Sequence, residues 1–173
     1  MRKCMLLLIL ALLAVAAVAE PMPDFRLPNE KDKTVALEDL LGKGPLLVDF
    51  WADYCQPCKL GMVKLDELAQ KYDSLTVVLV SVDAPKMQAK AKNYIKSKNY
   101  DFVTLYDPSK TLANKLGVTN PPHTFIVDKT GEIVWSHLGF ESGVEREYEA
   151  QIRQLLGLPP LEPDDEEEAG CAE

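Results

Sequence analysis

The stretch from Leu46 to Val82 leaves few folds open. Leu46-Leu47-Val48-Asp49-Phe50-Trp51 follows Gly44-Pro45 and reads as a buried strand interrupted by one acid. From Lys59 to Tyr72 the apolar residues Met62, Leu65, Ala69 and Tyr72 recur at the three-and-four spacing of a helix face. Thr76 to Val82 reads as a second buried strand. A strand, a helix and a strand in so short a stretch form a crossover unit, which makes the two strands parallel.

The rest of the chain extends that unit. Pro85 to Lys98 reads as a helix with Pro in its first turn, and Phe102 to Tyr106 as a short strand. Asp107-Pro108-Ser109 caps a further helix that ends at Gly117. Thr124 to Asp128 and Glu132 to Ser136 form a hairpin across Lys129-Thr130-Gly131. Val144, Tyr148, Ile152 and Leu155 stripe a last helix, which Gly157 and Pro159-Pro160 stop. The expected fold is α/β, with a mixed central sheet and helices on both faces.

Cys55-Gln56-Pro57-Cys58 sits where the first strand hands over to its helix. Zinc needs four ligands, and the chain offers only His123, His137 and no second Cys pair of this spacing. Lys59 stands where haem attachment requires His. A purely structural disulfide would close a loop too small to constrain the unfolded chain much. The residues therefore favour redox chemistry and no metal. Cys55 at the helix start meets unpaired N–H groups and the positive dipole end, which favour a thiolate, and Lys59 one turn on is expected to help. Cys55 is then the nucleophile, and Cys58, deeper in the helix, resolves the mixed disulfide. Pro57 preorganises the first turn. Asp49, mid-strand among apolar neighbours, should have a raised pKa, which suits a group that takes a proton from Cys58.

The ends differ from the middle. Arg2 and Lys3 precede an unbroken apolar run from Met5 to Val18, and Ala17-Val18-Ala19 resembles a small-residue cleavage site. The run is shorter than the roughly 20 residues of a membrane span. Residues 1–19 are expected to be an export signal, with an uncleaved anchor as the alternative, and Cys4 leaves with it. Residues 162–173 carry seven acids and no base and are expected to form a disordered tail holding Cys171 as a free thiol. The net charge is −8, but residues 20–161 contribute only −3. A nucleic-acid partner is not expected, because such binders carry a basic excess. The domain is drawn at 20–161, exported to the periplasm or an equivalent oxidising compartment.

Leu47 to Lys59 resembles the active-site segment of thioredoxins, and the region from Pro23-Asp24-Phe25 to Leu156 resembles the TlpA/ResA-type thiol–disulfide oxidoreductases, exported relatives of thioredoxin. Pro23 to Leu40 is similar to their entry segment, and residues 85–106 to the helix–strand insert that separates them from plain thioredoxins. Gly117-Val118 and Pro122, followed by Thr124 to Asp128, resemble their cis-proline strand. The resemblance implies a thioredoxin-like fold with an αβ insert. It implies a cis bond at Pro122, a buried acid at Asp49, and a substrate face made by Trp51, Tyr54, Pro121 and Pro122. It further implies protein thiol and disulfide substrates, a membrane-bound electron donor, no cofactor and a monomer.

Five positions depart from the pattern. Tyr54 replaces a Trp, Gly61 stands where cytochrome-maturation members keep a Glu, Val63 replaces a helix-kinking Pro, and Pro121 and His123 flank the cis-proline in place of the usual residues. The Gly61 departure favours a general reductase over a dedicated maturation role. Two rivals are a thiol peroxidase, against which Ala52 stands where peroxiredoxins place Thr, and a binding module with an idle dithiol.

Overall fold

The computed structural model describes residues 20–162. The expected signal, the acidic tail beyond Glu162, Cys4 and Cys171 lie outside the described residues. In chain order the elements are β1 (Glu20–Pro21), β2 (Arg26–Pro28), β3 (Thr34–Ala36), β4 (Leu46–Trp51), α1 (Gln56–Lys71), β5 (Thr76–Ser81), α2 (Gln88–Lys98), β6 (Val103–Tyr106), α3 (Thr111–Lys115), β7 (His123–Val127), β8 (Glu132–Leu138) and α4 (Val144–Leu155).

Six strands form one mixed sheet in the order β1-β8-β7-β4-β5-β6. Strands β4, β5 and β6 are parallel, as the crossover pattern demands, and β7 pairs antiparallel with both β4 and β8. All six residues of β4 are buried, which explains its near-continuous apolar run. The strand alternates across its two faces. On one face the rings of Phe50 and Phe125 meet edge to face at 5.8 Å. On the other, Asp49 lies opposite Thr124 of β7, beneath α1 and α4.

Helix α1 begins three residues before the apolar periodicity does, because Cys55 is its N-cap. Its inner face is Cys58, Gly61, Met62, Leu65 and Leu68. At its far end the Tyr72 hydroxyl donates to Glu149 of α4 at 2.5 Å, and Lys71 pairs with the same carboxylate at 2.6 Å. This ties the helix that carries the cysteines to α4. The residues 85–98 split into a 3₁₀ turn, Pro85–Met87, and α2, which ends on Asn99 in the left-handed region. Asp107 caps α3 by accepting from the backbone N–H groups of Thr111, Leu112 and Ala113 at 2.8–3.0 Å. That helix is only five residues long, shorter than the span read up to Gly117. Two features had no strand signal: the hairpin β2–β3, and β1, which adds two residues to the outer edge of β8.

Candidate active site

Cys55 and Cys58 are joined by a disulfide, with Cα atoms 5.4 Å apart. Cys55 is 6% exposed and Cys58 is 1% exposed, so Cys55 is the more accessible of the pair. Cys55 Sγ accepts a hydrogen bond from the Cys58 N–H at 3.2 Å. The same first-turn amide, at the positive end of α1, would stabilise a Cys55 thiolate once the bond opens. Pro57, in that first turn, has no N–H to leave unpaired.

Lys59 does not serve Cys55 as expected. Its ammonium lies 3.1 Å from Asp53 Oδ1 and 4.4 Å over the centre of the Tyr94 ring, so its charge is neutralised on the side of the insert helix. The loop it braces is also held from below. Buried Asp83, at the end of β5, accepts from the Asp53 backbone N–H and the Ser81 hydroxyl, both at 2.9 Å. Asp83 was not picked out from the sequence, where an acid following a strand reads as an ordinary turn residue.

Asp49 is buried and close to the dithiol. Its Oδ1 accepts from the Thr124 hydroxyl at 2.8 Å, and that hydroxyl lies 3.3 Å from the Tyr148 hydroxyl. Burial pushes the Asp49 carboxyl up to about 7, against the lowering effect of the Thr124 hydrogen bond. Asp49 and Cys58 line one small cavity of about 10 Å3 together with Thr124 and Tyr148. That is about the volume needed for a single water. The arrangement can pass a proton between Asp49 and Cys58 at neutral pH, because a carboxyl held near 7 is populated in both forms. Thr124 and Tyr148 complete the site. Only the β4–β7 register and the docking of α4 bring them to Asp49, and neither is a local pattern.

The expected substrate face divides. Pro121–Pro122 is a cis peptide, and Pro122 lines the cavity beside Cys58. Tyr54 is 68% exposed on the loop before Cys55. Trp51, however, is fully buried, with its ring 5.9 Å from that of Tyr94, so it supports the site from beneath and offers no surface to a substrate. Leu138 lies opposite His123 on β8 and is 60% exposed. His123 stacks on Phe125 at 4.4 Å, and burial together with the nearby His137 holds its pKa below 6.5.

Pro121 carries a prediction. An extended substrate lying beside the cis-proline gains main-chain hydrogen bonds, but Pro121 can offer only its carbonyl. Pro121→Thr restores one donor, a gain of about 0.5–1.5 kcal/mol. KM for an unselective substrate such as insulin should fall roughly two- to tenfold. The redox potential should stay unchanged. Steady-state kinetics checks the first and glutathione equilibration the second.

A family model described as the AhpC/TSA family matches residues 18–136. The thiol–disulfide oxidoreductase ResA of Bacillus thuringiensis (strain Al Hakam) is 30% identical over 122 residues, covering 70% of either chain. ResA of Bacillus subtilis is 29% identical over 112 residues, 65% of this chain and 62% of that one. Among solved structures, a Chlorobium tepidum protein provisionally identified as the thiol:disulfide interchange protein DsbE is 29% identical with a TM-score of 0.74, covering 80% of this chain and 97% of that one. The exposed lipoprotein thioredoxin of Streptococcus pneumoniae is 31% identical with a TM-score of 0.63, covering 79% of this chain and all of that one.

Proposed function

The chain belongs to the AhpC/TSA family and is a ResA-like thiol–disulfide oxidoreductase; from that premise we propose that it reduces disulfides of exported proteins. One observation carries the reading: a shielded Cys58 and a buried Asp49 line the same small cavity behind the outer sulfur, Cys55. Ala52, whose carbonyl accepts from the Cys55 N–H at 2.9 Å, has no hydroxyl to hold a peroxide beside that sulfur. This favours disulfide exchange over peroxidase chemistry.

In the reduced protein the Cys55 thiolate attacks one sulfur of a substrate disulfide. The substrate S–S bond breaks, its second sulfur leaves with the electron pair and takes a proton, and a mixed disulfide forms. Asp49 then removes the proton from Cys58. The Cys58 sulfur attacks Cys55 Sγ, and the remaining substrate sulfur leaves as a thiolate. Two electrons have moved to the substrate, and the Cys55–Cys58 disulfide remains.

Tyr54, Pro121 and Leu138 form the substrate face around this chemistry. The pattern of residues 1–19 supports export. An exported dithiol must receive its electrons across the membrane, which makes the donor a membrane-bound dithiol protein and this chain its carrier. The direct test is insulin reduction driven by dithiothreitol. The protein should accelerate precipitation of the insulin chains, and Cys55→Ser should abolish the acceleration. An intact, folded protein with no effect over dithiothreitol alone would reject the reading in favour of a binding module.

A further inference from the structure

Gly61 faces the cavity from α1, and the side chain it lacks has been replaced in space by Phe140. A Cβ built on Gly61 would lie 3.0 Å from the Phe140 ring, tighter than most packed contacts, so the ring would have to give by a few tenths of an ångström. The ring therefore packs tightly into the room that the absent Gly61 side chain leaves. Phe140 lines the same cavity as Asp49 and Cys58 and is itself half-buried, with one side toward the cavity. It is placed there by Gly139, whose φ of 97° turns the chain sharply at the end of β8. The Gly139 N–H donates to the Pro122 carbonyl at 2.8 Å, so the Phe140 loop is fastened to the cis-proline itself.

We propose that Phe140 is a positioning residue of the exchange reaction: it closes the Asp49–Cys58 cavity to bulk water and so decides whether Asp49 trades its proton with Cys58 or with solvent. The inference rests on the proton-relay reading of Asp49. The cavity is small enough that one aromatic ring is a large part of its wall. No cation lines it among the described residues, so exclusion of water is the main influence on Asp49. The titratable groups facing Asp49 are Cys58 from α1 and Tyr148 from α4. His137 of β8 lies one strand further along the same row, opposite Thr124. Glu141 and Glu145 act on Tyr148 from the Phe140 loop and the start of α4.

The test reads Asp49 directly. The full-length protein, in its disulfide form and labelled with carbon-13 at the Asp side-chain carboxyls, is titrated by NMR, with the Asp49 signal identified by its loss in Asp49→Asn. In the wild type the midpoint should lie near 7. Phe140→Ala should lower it by about one pH unit or more, because water reaches the carboxylate. The inflection in the pH dependence of insulin reduction should move with it. Phe140→Leu should restore most of the wild-type midpoint. Gly61→Ala, whose methyl must push the ring aside by a few tenths of an ångström, should shift the midpoint the same way by a smaller amount and keeps the test open if Phe140→Ala does not fold. A folded Phe140→Ala or Gly61→Ala protein whose Asp49 titrates as in the wild type would overturn the proposal. If instead the midpoint moves while Asp49→Asn exchanges disulfides at the wild-type rate, the relay role of Asp49 fails and the solvent barrier stands.

Discussion

Replacing Asp49 by Asn should slow disulfide exchange by about ten- to a hundredfold near pH 7, the range expected for loss of a positioned general base. The effect should be confined to the steps that deprotonate or reprotonate Cys58, and it should shrink above pH 9, where the thiol ionises without help. Stopped-flow exchange across pH 6 to 10 checks it. The same change should make the oxidised protein more stable. In the unfolded chain Asp49 titrates near 3.8, and in the fold burial holds it at about 7. Between those values the unfolded state has already lost a proton that the folded state keeps, so wild-type stability falls as pH rises. Each pH unit between them corresponds to about 1.4 kcal/mol, which makes the full cost of the ionised carboxylate about 4 kcal/mol. Below pH 4 the two proteins should unfold alike. Above about pH 7 Asp49→Asn should gain up to that amount, and urea unfolding at pH 4 and pH 8.5 measures the difference. A stability gain independent of pH would show that Asp49 is not the buried acid described here.

The second large effect is the asymmetry of the two sulfurs. Cys55→Ser should lose essentially all reductase activity, because the more accessible of the two active-site sulfurs is gone. Cys58→Ser should lose turnover as well, but its Cys55 still attacks, and the mixed disulfide has no internal thiol to resolve it. It should therefore accumulate covalent complexes with substrate proteins that run as shifted bands on non-reducing gels and collapse with dithiothreitol. Cys55→Ser should accumulate none. If Cys55→Ser trapped substrates as well as Cys58→Ser does, the assignment of nucleophile and resolving thiol would be reversed. The difference in burial is the physical reason to expect otherwise: an attacking thiolate must reach the substrate disulfide in line with the S–S bond it breaks, and Cys58 is enclosed by α1 and the cavity wall.

The parts of this site that were legible in the sequence are those encoded over a few consecutive residues. An apolar run, a cysteine pair and an apolar helical stripe place β4, Cys55 and α1. An acid inside a buried strand marks Asp49, because an unpaired carboxylate there needs a reason. Thr124, Tyr148 and Phe140 were not legible. They reach Asp49 through strand register and helix docking from residues 75 to 99 positions away, distances over which no periodicity carries. Lys59 was misread for a related reason. Its position one turn after Cys55 is set by the helix, but its side-chain direction is decided by Asp53 and by Tyr94 of α2. Trp51 shares with Asp49 the strand face that meets the helices, and the insert helix covers it, so a residue adjacent in sequence to the active-site loop has no route to substrate. Strand β1 is two residues long and pairs only through the backbone, so it leaves no mark in the side-chain pattern.

The direction of electron flow is the central claim, and the reduction potential of the Cys55–Cys58 couple tests it most directly. A helix-capping Cys55, whose neighbouring lysine is spent on Asp53, and a Cys58 backed by a carboxyl near 7 lack the strong thiolate stabilisation that makes a dithiol an oxidant. Equilibration with glutathione buffers, followed by acid quenching and alkylation, should give a value more negative than about −200 mV, toward the roughly −270 mV of thioredoxin. A value near −120 mV, that of a strong oxidant, would contradict the account.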